Sequence, residues 1–179
     1  MEKVNLIFSV HKNSRMNYYI GTLISLAMAS AFAFAASSGS REIEGVPLLV
    51  ILIIYIHAVQ IIGFVIAKIF NTEKFYDLTG SLTYISSIIG AVMLQDLTLR
   101  QKVASGLVCL WALRLGSFLF YRVMVVGEDS RFIRIKKSTI NFFFAWIVQG
   151  LWITITGAPA FVMVSQSDPL SNSQSFSFL

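Results

Sequence analysis

From Val46 to Lys68 the sequence runs through isoleucine, leucine and valine, with no charged side chain until its last residue. As an α-helix rising 1.5 Å per residue, such a run matches the roughly 30 Å hydrocarbon core of a bilayer, which about 20 apolar residues can cross. A helix that is apolar all round belongs in lipid or at the centre of a large protein. A chain of 179 residues cannot wrap it, because four more apolar segments compete for cover. They are Tyr18–Ala36, Leu78–Leu94, Val103–Val126 and Thr139–Val164. The chain is 56% apolar and only 13% charged, against about 25% charged in a soluble domain, and its mean hydropathy is +0.73. These numbers predict an all-α, polytopic transmembrane bundle of about five spans within one domain, residues 18–164.

The spans differ in character. The first carries small residues at every fourth position, Gly21, Ser25, Ala29 and Ala33, with a second row at Ala27, Ala31 and Ala35. Such rows let helix backbones approach closely in lipid and suit helix–helix association. Pro47 suits the first turn of the second span. The third is the weakest, with Gly80, Ser81, Thr83, Tyr84, Ser86, Ser87 and Gly90. That composition fits a helix surrounded by protein, or a re-entrant segment. Residues 1–17 are polar and mixed, and 165–179 are serine-rich and nearly uncharged, so the latter read as a disordered tail.

The net charge of +5 would point to nucleic acid in a soluble chain. Here the basic residues lie between apolar spans and read as topology signals instead, so no nucleic-acid partner is expected. With the N-terminus in the cytoplasm, the inside loops hold Lys3, Lys12, Arg15, Lys68, Lys74, Arg122, Arg131, Arg134, Lys136 and Lys137, and the outside loops only Arg41, Arg100 and Lys102. The expected topology is therefore N-terminus cytoplasmic and C-terminus outside, with residues 1–17 a cytoplasmic segment. Neither end carries a secretory, lipidation or retention signal.

Several chemistries lack their residues. There is no G-x-G-x-x-G, P-loop, H-E-x-x-H or C-x-x-C motif. Two histidines, His11 and His57, are too few for a histidine metal cluster, so no metal is expected. The single cysteine, Cys109, reads as a buried small residue. Every acid lies in a loop or at a span end, which argues against a carboxylate proton relay across the membrane.

Arg114 stands out. Eleven residues after Val103, it lies roughly 16 Å into the bilayer, where a charge costs ~3 kcal/mol on insertion scales. It needs protein, water or an anionic ligand. His57, Gln60 and Gln149 lie at similar depth and could join it in a polar layer, either as an anion contact or as a structural hydrogen-bond hub. Arg122 follows on the same broad helix face. The next loop mixes Glu128 and Asp129 with Arg131, Arg134, Lys136 and Lys137. Arginines there can hold phosphates through charge and bidentate hydrogen bonds, or simply anchor the loop at lipid headgroups. Asp77, at the start of the third span, could cap that helix or pair with the basic loop.

The strings Phe75-Tyr76-Asp77-Leu78-Thr79-Gly80, Trp111-Ala112-Leu113-Arg114-Leu115-Gly116-Ser117-Phe118-Leu119-Phe120-Tyr121-Arg122, Gly127-Glu128-Asp129-Ser130-Arg131-Phe132 and Trp146-Ile147-Val148-Gln149-Gly150-Leu151-Trp152 together resemble the uncharacterised, domain-of-unknown-function branch of the steroid 5-alpha-reductase-like membrane family. The resemblance covers about residues 70–160. It implies a helical membrane enzyme that uses NADPH to reduce a carbon–carbon double bond in a steroid or other lipid enone, without a Rossmann domain. It places Arg114, Arg122, Asp129, Arg131 and Gln149 at or near the cofactor. It names no catalytic residue here, and Tyr84 is only a candidate proton donor. In a eukaryote it implies the endoplasmic reticulum. Family members continue beyond the position of Pro159 with much of their cofactor site, so the chain as it stands is expected to be catalytically incomplete. The alternative is a non-catalytic membrane protein that packs against a partner such as a full-length relative.

Overall fold

The computed structural model describes residues 2–127 and 129–166. In chain order the elements are α1 (Glu2–Ala36), β1 (Glu42–Ile43), β2 (Val46–Pro47), α2 (Leu48–Ile69), α3 (Tyr76–Met93), α4 (Leu99–Val126), α5 (Phe132–Ile135) and α6 (Thr139–Ser165). Four helical stretches are long and apolar enough to cross a membrane: Met16–Ala36, Leu48–Ile69, Leu99–Val126 and Thr139–Ser165. The expected five spans become four by that measure, and α3 is the one that falls short. It is nevertheless one continuous helix of 18 residues rather than a re-entrant segment.

The polar composition of α3 follows from its position. It is wedged among α2, α4 and α6, and its buried face is Gly80, Ser81, Thr83, Tyr84, Ser87, Ile88 and Ala91. Small side chains there let neighbours come close. A Cβ on Gly116 of α4 would lie 2.5 Å from Ser81 Cβ, and one on Gly80 would lie 2.6 Å from Gln149 Nε2 of α6. The same device joins α2 to α6, where a Cβ on Gly63 would lie 2.3 Å from the Trp146 ring. α2 and α6 pack along each other, and α1 packs on α6. The first small row of α1 is used inside the molecule: Ser25, Ala29 and Ala33 are buried, and Gly21 meets the Phe144 ring. The second row, Ala27, Ala31 and Ala35, stays exposed. α4 is the peripheral helix; its buried residues are only Gln101, Ser105, Ala112, Gly116 and Val123.

The boundaries show local causes. α4 begins before the expected Val103, because Thr98 and Gln101 form a reciprocal capping box: Gln101 N donates to Thr98 Oγ1 and Thr98 N donates to Gln101 Oε1 at 2.9 Å. It ends at Gly127, whose φ of 90° is the left-handed C-terminal conformation that glycine adopts without strain. Helical structure extends back through most of the segment 1–17, to Glu2. Val46 and Pro47, expected in the second span, pair with β1 in a short hairpin instead. Its two turn residues, Glu44 at φ 52° and Gly45 at φ 79°, both adopt the left-handed conformation that a type I′ turn requires. This hairpin is tied to the end of α6, with Arg41 N donating to Ser165 O at 2.7 Å. Ser165 itself is helical and buried; residues 167–179 of the expected tail lie outside the described residues.

Candidate functional site

At one end of the bundle the α2–α3 loop meets the α4–α6 loop, and the charges of the two interlock. Asp77 stands in the first turn of α3, where a negative charge is favoured by the helix dipole. It does not cap the helix, because its carboxylate is engaged elsewhere. Arg131 Nη2 donates to Asp77 Oδ2 at 2.8 Å, and Arg131 Nε donates to both oxygens of Asp129 at 2.9 Å. Arg131 Nη2 also reaches Asp129 Oδ2 at 2.5 Å. One guanidinium therefore bridges a carboxylate in the first turn of α3 and one in the loop after α4. Arg122 Nη2 stands 3.8 Å from Oδ2 of both Asp77 and Asp129. That separation is beyond hydrogen-bond length, so Arg122 adds charge to the cluster while its donors stay uncommitted.

A second pair lies beneath. Lys136 Nζ is 2.5 Å from Glu73 Oε2, with the Glu73 side chain only 3% exposed. Glu73 Oε1 also accepts from Asp129 N. Burial alone would raise the Glu73 carboxyl above its ordinary value, but the Lys136 hydrogen bond and the Asp129 amide outweigh it and hold it lower. The Asp129 carboxyl is held low chiefly by its hydrogen bond to Arg131, against a smaller effect of burial. The same hydrogen bond holds the Arg131 guanidinium more firmly protonated. The expected pairing of Asp77 with the basic loop is present. Glu73 is the member that sequence reasoning did not single out, and with it the partner of Lys136; the available signal was Glu73 lying four residues before Asp77 in the same connection.

Beside the cluster is a recess of about 420 Å³, lined by Arg122, Val123, Val126, Asp129, Ser130 and Arg131. The exposed Arg134 and Lys137 extend the basic character of this loop and form no ion pair among the described residues. The recess can accept an anion mainly through Arg122, which is 46% exposed at its side chain. Arg131 commits Nε and Nη2 to the two carboxylates, and its role within the chain is to tie the start of α3 to the loop that follows α4.

The expected mid-depth polar layer does not assemble around Arg114. Arg114 is exposed on the outer face of α4, with no hydrogen bond or ion pair among the described residues. α4 touches the bundle mainly through α3, so a side chain pointing away from α3 meets nothing else. Gln149 donates from Nε2 to Tyr76 O at 3.0 Å, and Gln60 donates to Thr83 Oγ1 at 3.0 Å. His57 Nδ1 donates to Ile53 O of its own helix at 3.0 Å rather than to a neighbouring helix. Cys109 is half-buried rather than buried. Of the residues that the resemblance places near a cofactor, Arg122, Asp129 and Arg131 therefore converge. Gln149 lies close by, on the main chain of Tyr76, and Arg114 is apart. Among the described residues no group of His, Cys, Asp or Glu could hold a metal.

The fold and this site define a multi-pass helical membrane protein with an ion-paired end. Residues 63–178, well over half of the chain, match the family described as protein of unknown function, DUF1295, and the chain belongs to that family. The match takes in α3, α4, α5 and α6 and with them the whole charged cluster. No curated protein and no solved structure matches the chain.

Proposed function

We propose that the charged end faces the cytoplasm, that it takes the phosphates of NADPH, and that the chain is built on the plan of the steroid 5-alpha-reductase-like membrane enzymes acting on a lipid enone. The observation that carries this reading is Arg122: half-exposed, at the rim of the recess, and 3.8 Å from its two carboxylate neighbours. A guanidinium held that loosely can turn its donors to a phosphate, where bidentate pairing is strongest. The basic bias of the same loops supports the orientation. Within the recess Arg122 offers one phosphate contact, since Arg131 commits Nε and Nη2 to Asp77 and Asp129; the exposed Arg134 and Lys137 belong to the same loop, and Arg114 lies elsewhere. When bound, the cofactor would supply hydride to the β-carbon of the enone; the chain's own residues at this end would bind and orient it. Thermal unfolding of the purified protein in detergent tests the reading. NADPH should raise the melting temperature, NADH should raise it less, and Arg122→Ala should remove the shift. A melting temperature indifferent to millimolar NADPH would overturn it.

A second reading is favoured by Arg114. A charge on the outer face of a spanning helix calls for a polar neighbour, and a membrane partner packed on α4 would provide one. The chain would then act as a non-catalytic interaction protein. Co-purification of a membrane protein that is lost on Arg114→Leu would support it, and a monomeric chain active on its own would exclude it.

A further inference from the structure

A groove open along its side lies between α4 and α6, in the half of the bundle away from the charged cluster. It consists of a chamber of about 860 Å³ and a smaller one of about 330 Å³ that share Leu107, Val108, Pro159 and Ala160. Chambers of this size hold drug-sized or lipid-sized ligands. Its middle is apolar and its two ends are polar. Arg100 and Gln101 line the outer end, and Tyr84 and Thr156 the inner one. Arg100 and Trp111, which lines the inner chamber, are eleven residues apart on α4, so the ends are roughly 16 Å apart.

The inner end has a defined hydrogen-bond polarity. Thr156 Oγ1 donates to Trp152 O at 2.7 Å. A hydroxyl has one hydrogen, so in the bond between Tyr84 and Thr156 the phenol must be the donor. Tyr84 therefore has no hydrogen left for a ligand carbonyl, while its oxygen keeps acceptor capacity. It can receive a ligand hydroxyl, and it is not arranged to protonate or polarise an enone. At the outer end Gln101 Nε2 is occupied by Met163 O at 2.8 Å, whereas Arg100 is exposed and forms no ion pair among the described residues.

We infer that this groove binds a membrane amphiphile polar at both ends, with a hydroxyl donating to Tyr84 and an acidic group at Arg100. An apolar tail fits between them against Leu107, Val108 and Ala160. A ligand with only one polar end would leave either the arginine or the phenol oxygen without its partner.

The test is a calorimetric titration of the full chain in nanodiscs with three probes: a long-chain ω-hydroxy fatty acid, the parent fatty acid and the parent fatty alcohol. The hydroxy acid should bind about tenfold more tightly than either singly polar probe, which is the effect of one net hydrogen bond. Arg100→Gln, at an exposed position, should weaken both acids about tenfold and leave the alcohol unchanged. Tyr84→Phe should bring the hydroxy acid down to the fatty acid. Should that variant not fold, the three-probe comparison and Arg100→Gln still decide. Ala104→Trp should block all three. Equal binding of the three probes, or undiminished binding by the Ala104→Trp protein, would overturn the inference.

Discussion

Replacing Glu73 by glutamine should cost the protein about 2 kcal/mol of stability, and the cost should depend on Lys136. The Glu73 side chain is 3% exposed and that of Lys136 is 23% exposed. Breaking a fully buried ion pair by removing one partner costs roughly 3–5 kcal/mol, mainly because an unpaired charge is left behind. Lys136 can lean partly toward water, which lowers the figure. Glutamine also keeps an oxygen that can accept from Asp129 N, so that hydrogen bond survives. Lys136→Met alone should be similarly costly, since it strands Glu73. The double variant should recover much of the loss, because two neutral side chains leave no charge stranded. The assay is reversible denaturant unfolding in detergent of the four members of this cycle. A coupling energy of about 1–2 kcal/mol is expected. If the single effects simply added within about 0.5 kcal/mol, the pair would not be coupled and the reasoning would fail.

Acidification should loosen the charged end. The Asp129 and Glu73 carboxyls are held below their ordinary values in the folded protein, so the unfolded chain binds more protons in acid. Their contribution is complete above the ordinary carboxyl range of about 4 and falls as pH drops through the folded values. Melting temperature should decline below pH ~4, and the decline should be shallower in Asp129→Asn. Gly116→Ala should destabilise by roughly 1–3 kcal/mol through overpacking against Ser81. Gly106→Ala, at an α4 position with open space, should stabilise by up to about 1 kcal/mol through helix propensity. Equal effects at the two glycines in denaturant unfolding would show that close packing does not govern the α3–α4 contact. Arg114→Leu should leave the isolated protein as stable as the wild type or improve its membrane insertion, because this arginine has no partner among the described residues. A loss above about 1 kcal/mol would reveal an intramolecular role.

The helices were legible because lipid and protein make different demands on composition. The uniform apolarity of Val46–Lys68 points to a span, and α2, Leu48–Ile69, is long and apolar enough to be one; the serines and glycines of Leu78–Leu94 point to a helix enclosed by others, and α3, Tyr76–Met93, packs among α2, α4 and α6. What a side chain faces was less legible. The depth of Arg114 could be reckoned from helix rise, but its direction depends on which face of α4 meets α3, and Gly116 and Ser81 decide that only once the helices are brought together. The Glu73–Lys136 pair joins residues from two loops that look like ordinary charged connectors when read singly. Asp77 and Arg131 were easier to connect, since both loops fall at the same end of an alternating bundle. The hairpin went unread because each strand has two residues, too few for any alternation, and only Glu44-Gly45 marks its turn.

The strap between Arg41 and Ser165 has a consequence for biogenesis. Ser40 and Ser165 are 125 positions apart in the chain. At about 5–20 residues per second, a ribosome needs roughly 6–25 s to cover that interval. Until then the Arg41 amide lacks the Ser165 carbonyl and is left to water, and α1 and α2 must wait side by side without α6, the helix on which both pack. The last described helix is thus the one that completes the assembly. A translation arrest before Ser165 should leave a nascent bundle that is inserted but open, with its hairpin accessible to protease on one side of the membrane and protected only after α6 arrives.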